Sequence, residues 1–231
     1  MKFKLHTYTE KFLADTITPV SIYLRLRDKY PHSLLLESSD YHANENAFSY
    51  ICFKPIAFFK VENNQIQTQF PDGSFQAKDL NSNVNLVDEL RSFANQFEAN
   101  SNTEKFIQSG MFGYMNYDAV QYFEDIEIDK KEGVHGVQDV YYAVYQNIIA
   151  INHFNNEAHI ISQSLTDENS IHEISALLRM KSFAEYEFKR EGSPISNISD
   201  EDYKDLVVKC KEHCQRGDVF QIVPSMRFTQ K

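Results

Sequence analysis

Cys210 and Cys214 stand four residues apart, one turn of a helix, and two thiolates at that spacing could grip a soft metal ion. The competing reading is a pair of small residues in a core, and their apolar stripe with Tyr203, Leu206 and Val207 favours it. His153 and His159 flank a turn signal at Asn155-Asn156. Surface turn residues are the plainer reading of that pair. The run Glu124-Asp125-Ile126-Glu127-Ile128-Asp129 could offer oxygen ligands to a cation, or form a solvated edge. No serine or cysteine occupies a nucleophile elbow, and Asn197-Ile198-Ser199 is a sequon that matters only outside the cytosol. Residue chemistry alone assembles no complete active site.

The composition bounds what these groups can serve. With 231 residues, 42% hydrophobic and 24% charged, the chain can bury one core or one core plus part of another. A net charge of -10 argues against nucleic acid, which needs a concentrated cationic surface. Seven glycines are few for a glycine-rich nucleotide scaffold, and three cysteines give no disulfide framework. No apolar run approaches the ~20 residues of a membrane span, and no apolar signal core follows Met1, so a cytoplasmic protein is expected.

Mixed elements must position any site. Thr18-Pro19 opens a helix that reaches about Tyr30, where Pro31 stops it. Ser33 to Ser38, Phe48 to Phe53, Ile56 to Glu62 and Gln65 to Phe70 read as strands, with Asn63-Asn64 as a tight turn. Leu86, Leu90, Phe93 and Phe97 fit one face of a helix over 85–99. Strands over 108–117 and 139–152 follow, then a hairpin return over 158–163 and a helix over 167–183. After a polar linker at 184–198, Ser199 caps another helix that Gly217 ends. Hairpins dominate, so the expected class is α+β, a mostly antiparallel sheet with packed helices. Val219, Phe220, Ile222 and Val223 read as a strand covered on both faces, which implies a chain that is part of a longer one. In this chain alone they are expected to be poorly ordered or to borrow cover from the N-terminal domain or another copy.

Three segments together resemble one family. They are Leu34-Leu35-Leu36-Glu37-Ser38, Gly110-Met111-Phe112-Gly113-Tyr114-Met115-Asn116-Tyr117-Asp118-Ala119-Val120, and Gly217-Asp218-Val219-Phe220-Gln221-Ile222-Val223-Pro224-Ser225. In this order they look like component I, the large subunit, of anthranilate synthase, and Ser196-Asn197, Tyr203, Val207 and Lys211 match the approach to the third segment. Family members are about twice this length. The resemblance therefore implies an N-terminal domain over 1–190, carrying the effector region, then over 191–231 a linker and the first helix and strand of a truncated chorismate-binding domain. Met226, Asn116 and Asn152 depart from the usual arginine, glycine and aspartate.

The family reaction joins chorismate to ammonia, eliminates pyruvate and leaves anthranilate, with Mg2+ in the full-length enzyme and ammonia from a glutamine amidotransferase subunit. The resemblance places the magnesium ligands and catalytic histidine beyond residue 231, so no metal ligand is expected in this chain, and the chain alone is expected to be inactive. It nominates Glu37 and Ser38 for the L-tryptophan effector, a carboxylate for the ammonium and a hydroxyl for a further hydrogen bond. Without the resemblance, both simply end a strand. It also nominates Gln221 as a catalytic-site residue: isochorismate-forming relatives carry a lysine there that activates water, and a neutral amide cannot be that base. The plain reading is an inward polar residue satisfied by backbone.

Three functions remain open on these residues. The chain is the N-terminal portion of an anthranilate synthase component I, or of an aminodeoxychorismate synthase of folate biosynthesis. Alternatively it is a non-enzymatic module that binds tryptophan.

Overall fold

The computed structural model describes residues 2–37, 47–81, 84–99, 104–126, 128, 137–180 and 184–230. The chain divides into two units, Met1–Ala184 and Glu185–Lys231, each with its own set of contacts.

Two long strands organise the first unit. β3 (Phe48–Glu62) and β8 (Val140–Asn152) pair antiparallel along nearly their whole length. Their outer edges are shared between halves. Along Cys52–Tyr50, β3 pairs with β2 (Leu34–Leu36), and along Phe58–Glu62 with β4 (Gln65–Gln69). Likewise β8 pairs through Val140–Val144 with β7 (Met111–Met115) and through Asn147–Ile151 with β9 (Glu157–Ser164). β1 (Phe3–Leu13) adds to β9, and β6 (Phe97–Ala99) adds parallel to β1; β5 (Phe75–Asp79) closes the other end against β4. The sheet is antiparallel except at β1–β6, as the α+β expectation required.

The halves diverge at a corner built into β3. Register slips between Pro55 and Ala57, and Lys54 takes φ 57°, a left-handed conformation costly for a residue with a Cβ. Proline lacks the N–H a ladder needs, so it is tolerated where the ladder is already broken. The two strands expected over 48–53 and 56–62 are thus one strand with a bulge. Bending there lets the outer strands fold over one another, the way strands that switch sheets make corners. Leu5 of β1 consequently packs in one cluster with Phe59, Val61 and Val144. At the corner Asn147 is fully buried, and neither atom of its amide has a partner among the described residues.

Three helices cover the sheet. α1 (Pro19–Leu26) begins at Thr18, whose hydroxyl accepts from Ser21 N at 3.1 Å, with proline at the first position. It buries Ile22 and Leu26 against Phe53, Ile149 and Ile174. α2 (Leu86–Ala94) is capped by Asn85 and buries Leu86 and Phe93. It stops short of the expected 85–99, because Phe97–Ala99 pair with Phe3–Leu5 instead. α3 (Ile171–Leu178) is likewise shorter than the 167–183 expected, and residues 181–183 lie outside those described. A short 3-10 turn at Tyr117–Tyr122 follows β7.

One polar knot ties α1, α3 and the corner. The Glu173 carboxylate accepts from Tyr30 Oη at 2.9 Å and Lys29 Nζ at 3.1 Å, with Lys54 Nζ 3.9 Å away. Those hydrogen bonds, Tyr30's first, hold the Glu173 carboxyl below the usual carboxylate range. A carboxyl depressed in the folded state stabilises fully above its unfolded value, about 4.3, and that contribution disappears as pH falls through the folded value. Glu173→Gln is therefore expected to cost about 1 kcal/mol at neutral pH. In urea titrations the gap from wild type should close as pH falls from neutrality to below the folded carboxyl value. A gap that stays constant across that window contradicts the assignment.

The second unit contains α4 (Asp200–Arg216), with Ser199 as cap and Gly217 at φ 81° as the left-handed exit that glycine favours. β10 (Ile195–Ser196) and β11 (Phe228–Thr229) form a minimal ladder. The expected strand at 219–223 is not one. These residues lie outside any ladder, with Phe220 fully exposed and Val223 76% exposed. Composition supplied strand-forming side chains, but a strand exists only through its pairing neighbours.

Candidate functional site

Glu37 is exposed and follows the last residue of β2, whose Leu36 pairs with Tyr50. On the neighbouring strand the next residue is Ser49, fully buried, and its Oγ lies 2.6 Å from His153 Nε2. His153 N also donates to Ala47 O at 3.0 Å. Ser38 lies outside the described residues.

At the other end of β2 a hollow of about 500 Å3 opens beside Leu34. Its wall includes Phe58, Tyr141 and Tyr114, rings stacked with centroids 6.5 and 6.1 Å apart, and Lys60 stands among them. Tyr114 Oη donates to Gln138 at 2.9 Å, and burial raises the Tyr141 hydroxyl above the ordinary phenol range. The Tyr141 phenol stays protonated at neutral pH and can donate but not act as a base. The hollow can receive a flat ring; it carries no acid–base pair.

Gln221 is exposed in the second unit, between α4 and β11, and makes no hydrogen bond with the described residues. Glu37 and Gln221 belong to different units. The inward-facing alternative for Gln221 is therefore corrected: without a strand around it, nothing turns the amide inward.

The histidines and cysteines differ from the plain sequence reading. His153 is half-buried on Ser49, and His159 lies on β9 with its ring 4.3 Å from that of Phe106. Burial lowers the His159 pKa below the ordinary imidazole value. Neither is a free surface turn residue. Cys210 is buried but Cys214 is exposed, so the two do not share one buried stripe. Asp118 accepts from Gln121 Nε2 through its backbone carbonyl. Asp139 receives the side chains instead, from Tyr122 Oη at 2.6 Å and Asn116 Nδ2 at 3.1 Å. Tyr117 is exposed, whereas Tyr114 is half-buried.

A hard cation such as Mg2+ needs several converging oxygen ligands. Among the described residues no group of three or more His, Cys, Asp or Glu side chains is placed to hold a metal ion. In the acidic run, Glu127 and Asp129 lie outside the described residues. No helix of the described residues is long and apolar enough to cross a membrane.

Comparison with known proteins adds what geometry lacks. A family model described as chorismate binding enzyme matches residues 70–231. Anthranilate synthase component 1 of Lactococcus lactis subsp. lactis (strain IL1403) is 30% identical over 227 residues, covering 94% of this chain and 47% of that protein. The protein of the same name from Aquifex aeolicus (strain VF5) is 24% identical, covering 97% of this chain and 47% of its own length. The crystal structure of anthranilate synthase component I from Streptococcus pneumoniae TIGR4 superposes with a TM-score of 0.57 at 22% identity, covering 95% of this chain and 48% of that one. That likeness shows a shared fold. The chain spans about half the length of the curated relatives it matches.

Proposed function

This chain belongs to the chorismate binding enzyme family, and from that premise we propose that it is the N-terminal portion of an anthranilate synthase component I. The observation that carries the reading is the alignment to the Lactococcus lactis protein, which runs through 94% of this chain. On this reading the whole enzyme is a lyase of tryptophan biosynthesis in the cytoplasm. It converts chorismate and ammonia to anthranilate and pyruvate with Mg2+, and a glutamine amidotransferase subunit supplies the ammonia.

The residues of this chain then serve regulation and positioning. Glu37 and Ser38 contact L-tryptophan: the carboxylate pairs with the ligand ammonium and the hydroxyl adds a hydrogen bond. Glu37 suits the part because it is exposed at a strand end and no ion pair engages it among the described residues. Gln221 faces the nucleophile, and its amide can donate and accept hydrogen bonds without deprotonating water. The magnesium ligands belong to the other half, so the 231-residue chain alone turns over no chorismate.

The full reading frame containing these residues, given chorismate, ammonia and Mg2+, is expected to form anthranilate, read by its fluorescence. L-Tryptophan should inhibit it, and Glu37→Ala should weaken that inhibition at least tenfold. Accumulation of aminodeoxychorismate instead would point to the folate-branch enzyme. No consumption of chorismate, together with saturable tryptophan binding by the 231-residue chain, would point to a non-enzymatic module.

A further inference from the structure

A cleft of about 630 Å3 opens between the β4–β5 hairpin, α2 and the start of β1. Small-molecule sites commonly span about 300–1,000 Å3 and pair an apolar wall with a few placed polar groups. Here the apolar wall is Phe3, Phe70 and Phe93, with Phe3–Phe70 centroids 5.7 Å apart and Phe70–Phe93 centroids 5.3 Å apart. The polar wall includes Lys2 and Lys4 from the start of β1.

The charge left over in this cleft is positive. Three lysines, Lys2, Lys4 and Lys78, line it against two carboxylates, Asp72 and Glu89. Asp72 accepts from Ser74 N at 2.9 Å and Ser74 Oγ at 2.6 Å, which lowers its pKa. Glu89 pairs with Lys78 Nζ at 2.5 Å. Lys2 and Lys4 have no ion-pair partner among the described residues. An excess of ammonium over carboxylate beside an aromatic wall stands out in a chain of net charge -10.

We propose that this cleft binds a small aromatic carboxylate, its ring against Phe3 and Phe70 and its carboxylate paired with the Lys2 and Lys4 ammoniums. An aromatic amine meets like charge at the same place, and a small inorganic anion leaves the phenylalanine wall unused. The site is separate from Glu37 and Gln221, neither of which lines it, and does not depend on the function proposed above.

Benzoate is the probe, read by ligand-observed saturation-transfer NMR and by amide shifts of the 231-residue chain. Benzoate should bind, its affinity falling with added salt, while benzylamine should bind at least tenfold more weakly. The double variant Lys2→Gln/Lys4→Gln changes two exposed surface side chains and should weaken benzoate at least tenfold. Ser92→Trp, which places an indole in the cleft from the exposed side of α2, should abolish binding with both lysines intact. Far-UV circular dichroism checks that each variant is folded. The proposal is overturned if benzoate gives no signal up to about 10 mM, if benzylamine binds equally, or if the lysine variant binds like wild type.

Discussion

Gly113→Ala is expected to lower the stability of the first unit by about 3 kcal/mol or more, the upper range for overpacking. An added Cβ would lie 1.9 Å from Tyr141 O and 2.8 Å from both Tyr141 C and Tyr142 Cα. All three are backbone atoms of β8, so no rotamer change relieves the clash. β7 must move off β8 and loosen the ladder from Met111–Val144 to Met115–Val140. For a domain of this size the melting temperature should fall by roughly 6–12 °C. Gly73→Ala is the comparison: φ is 83° but nothing lies within 4 Å, so only the left-handed backbone resists, about 1–2 kcal/mol. Urea midpoints that rank the two variants equal would show that the β7–β8 approach is not what needs the glycine.

Phe93→Ala should be the most damaging change in the core of α2, costing about 4 kcal/mol. Phe93 is 3% exposed, and its ring meets Phe59, Phe70 and Phe97 with centroids 5.8, 5.3 and 5.3 Å away. Aromatic pairs add about 0.5–1.5 kcal/mol each beyond burial, though not additively. α2 buries only Leu86 and Phe93, so the loss should also be local. Hydrogen exchange of α2 amides should accelerate far more than that of β8, and Phe93→Leu should recover part of the protection. Uniform acceleration across both elements contradicts this anchoring role.

What the sequence reveals of this fold depends on how local each signal is. Asn63-Asn64 and Asn155-Asn156 mark hairpins because asparagine tolerates positive φ, and Asn63, Asn64 and Asn156 adopt 52°, 58° and 56°. Ser199 and Gly217 bound α4 by the same local logic. β1 and β5 give no such signal. β1 is mostly polar and owes its strand to β9 and β6, while β5 is exposed at every residue and owes its own to β4. The run at 219–223 errs the other way, apolar enough for a strand but unpaired.

Sites are less legible than elements. Glu37 and Gln221 came from a resemblance, since neither stands near a partner in sequence. Ser49 and His153 meet across 104 positions, and no spacing rule could join them. The lysines of the cleft beside α2 sit at 2 and 4, and its phenylalanines at 3, 70 and 93; only the folding-over of β1 brings them together.

β1 also sets an order in time. It is synthesised long before β9, yet pairs with it through eight residues, His6 with Ser164 among them. At about 5–20 residues per second, a ribosome makes it wait on the order of ten seconds for that partner. An apolar strand waiting so long would offer its edge to other nascent chains. The lysines, threonines and glutamate of β1 make it hard to recognise as a strand, and they keep it soluble until its neighbour has been made.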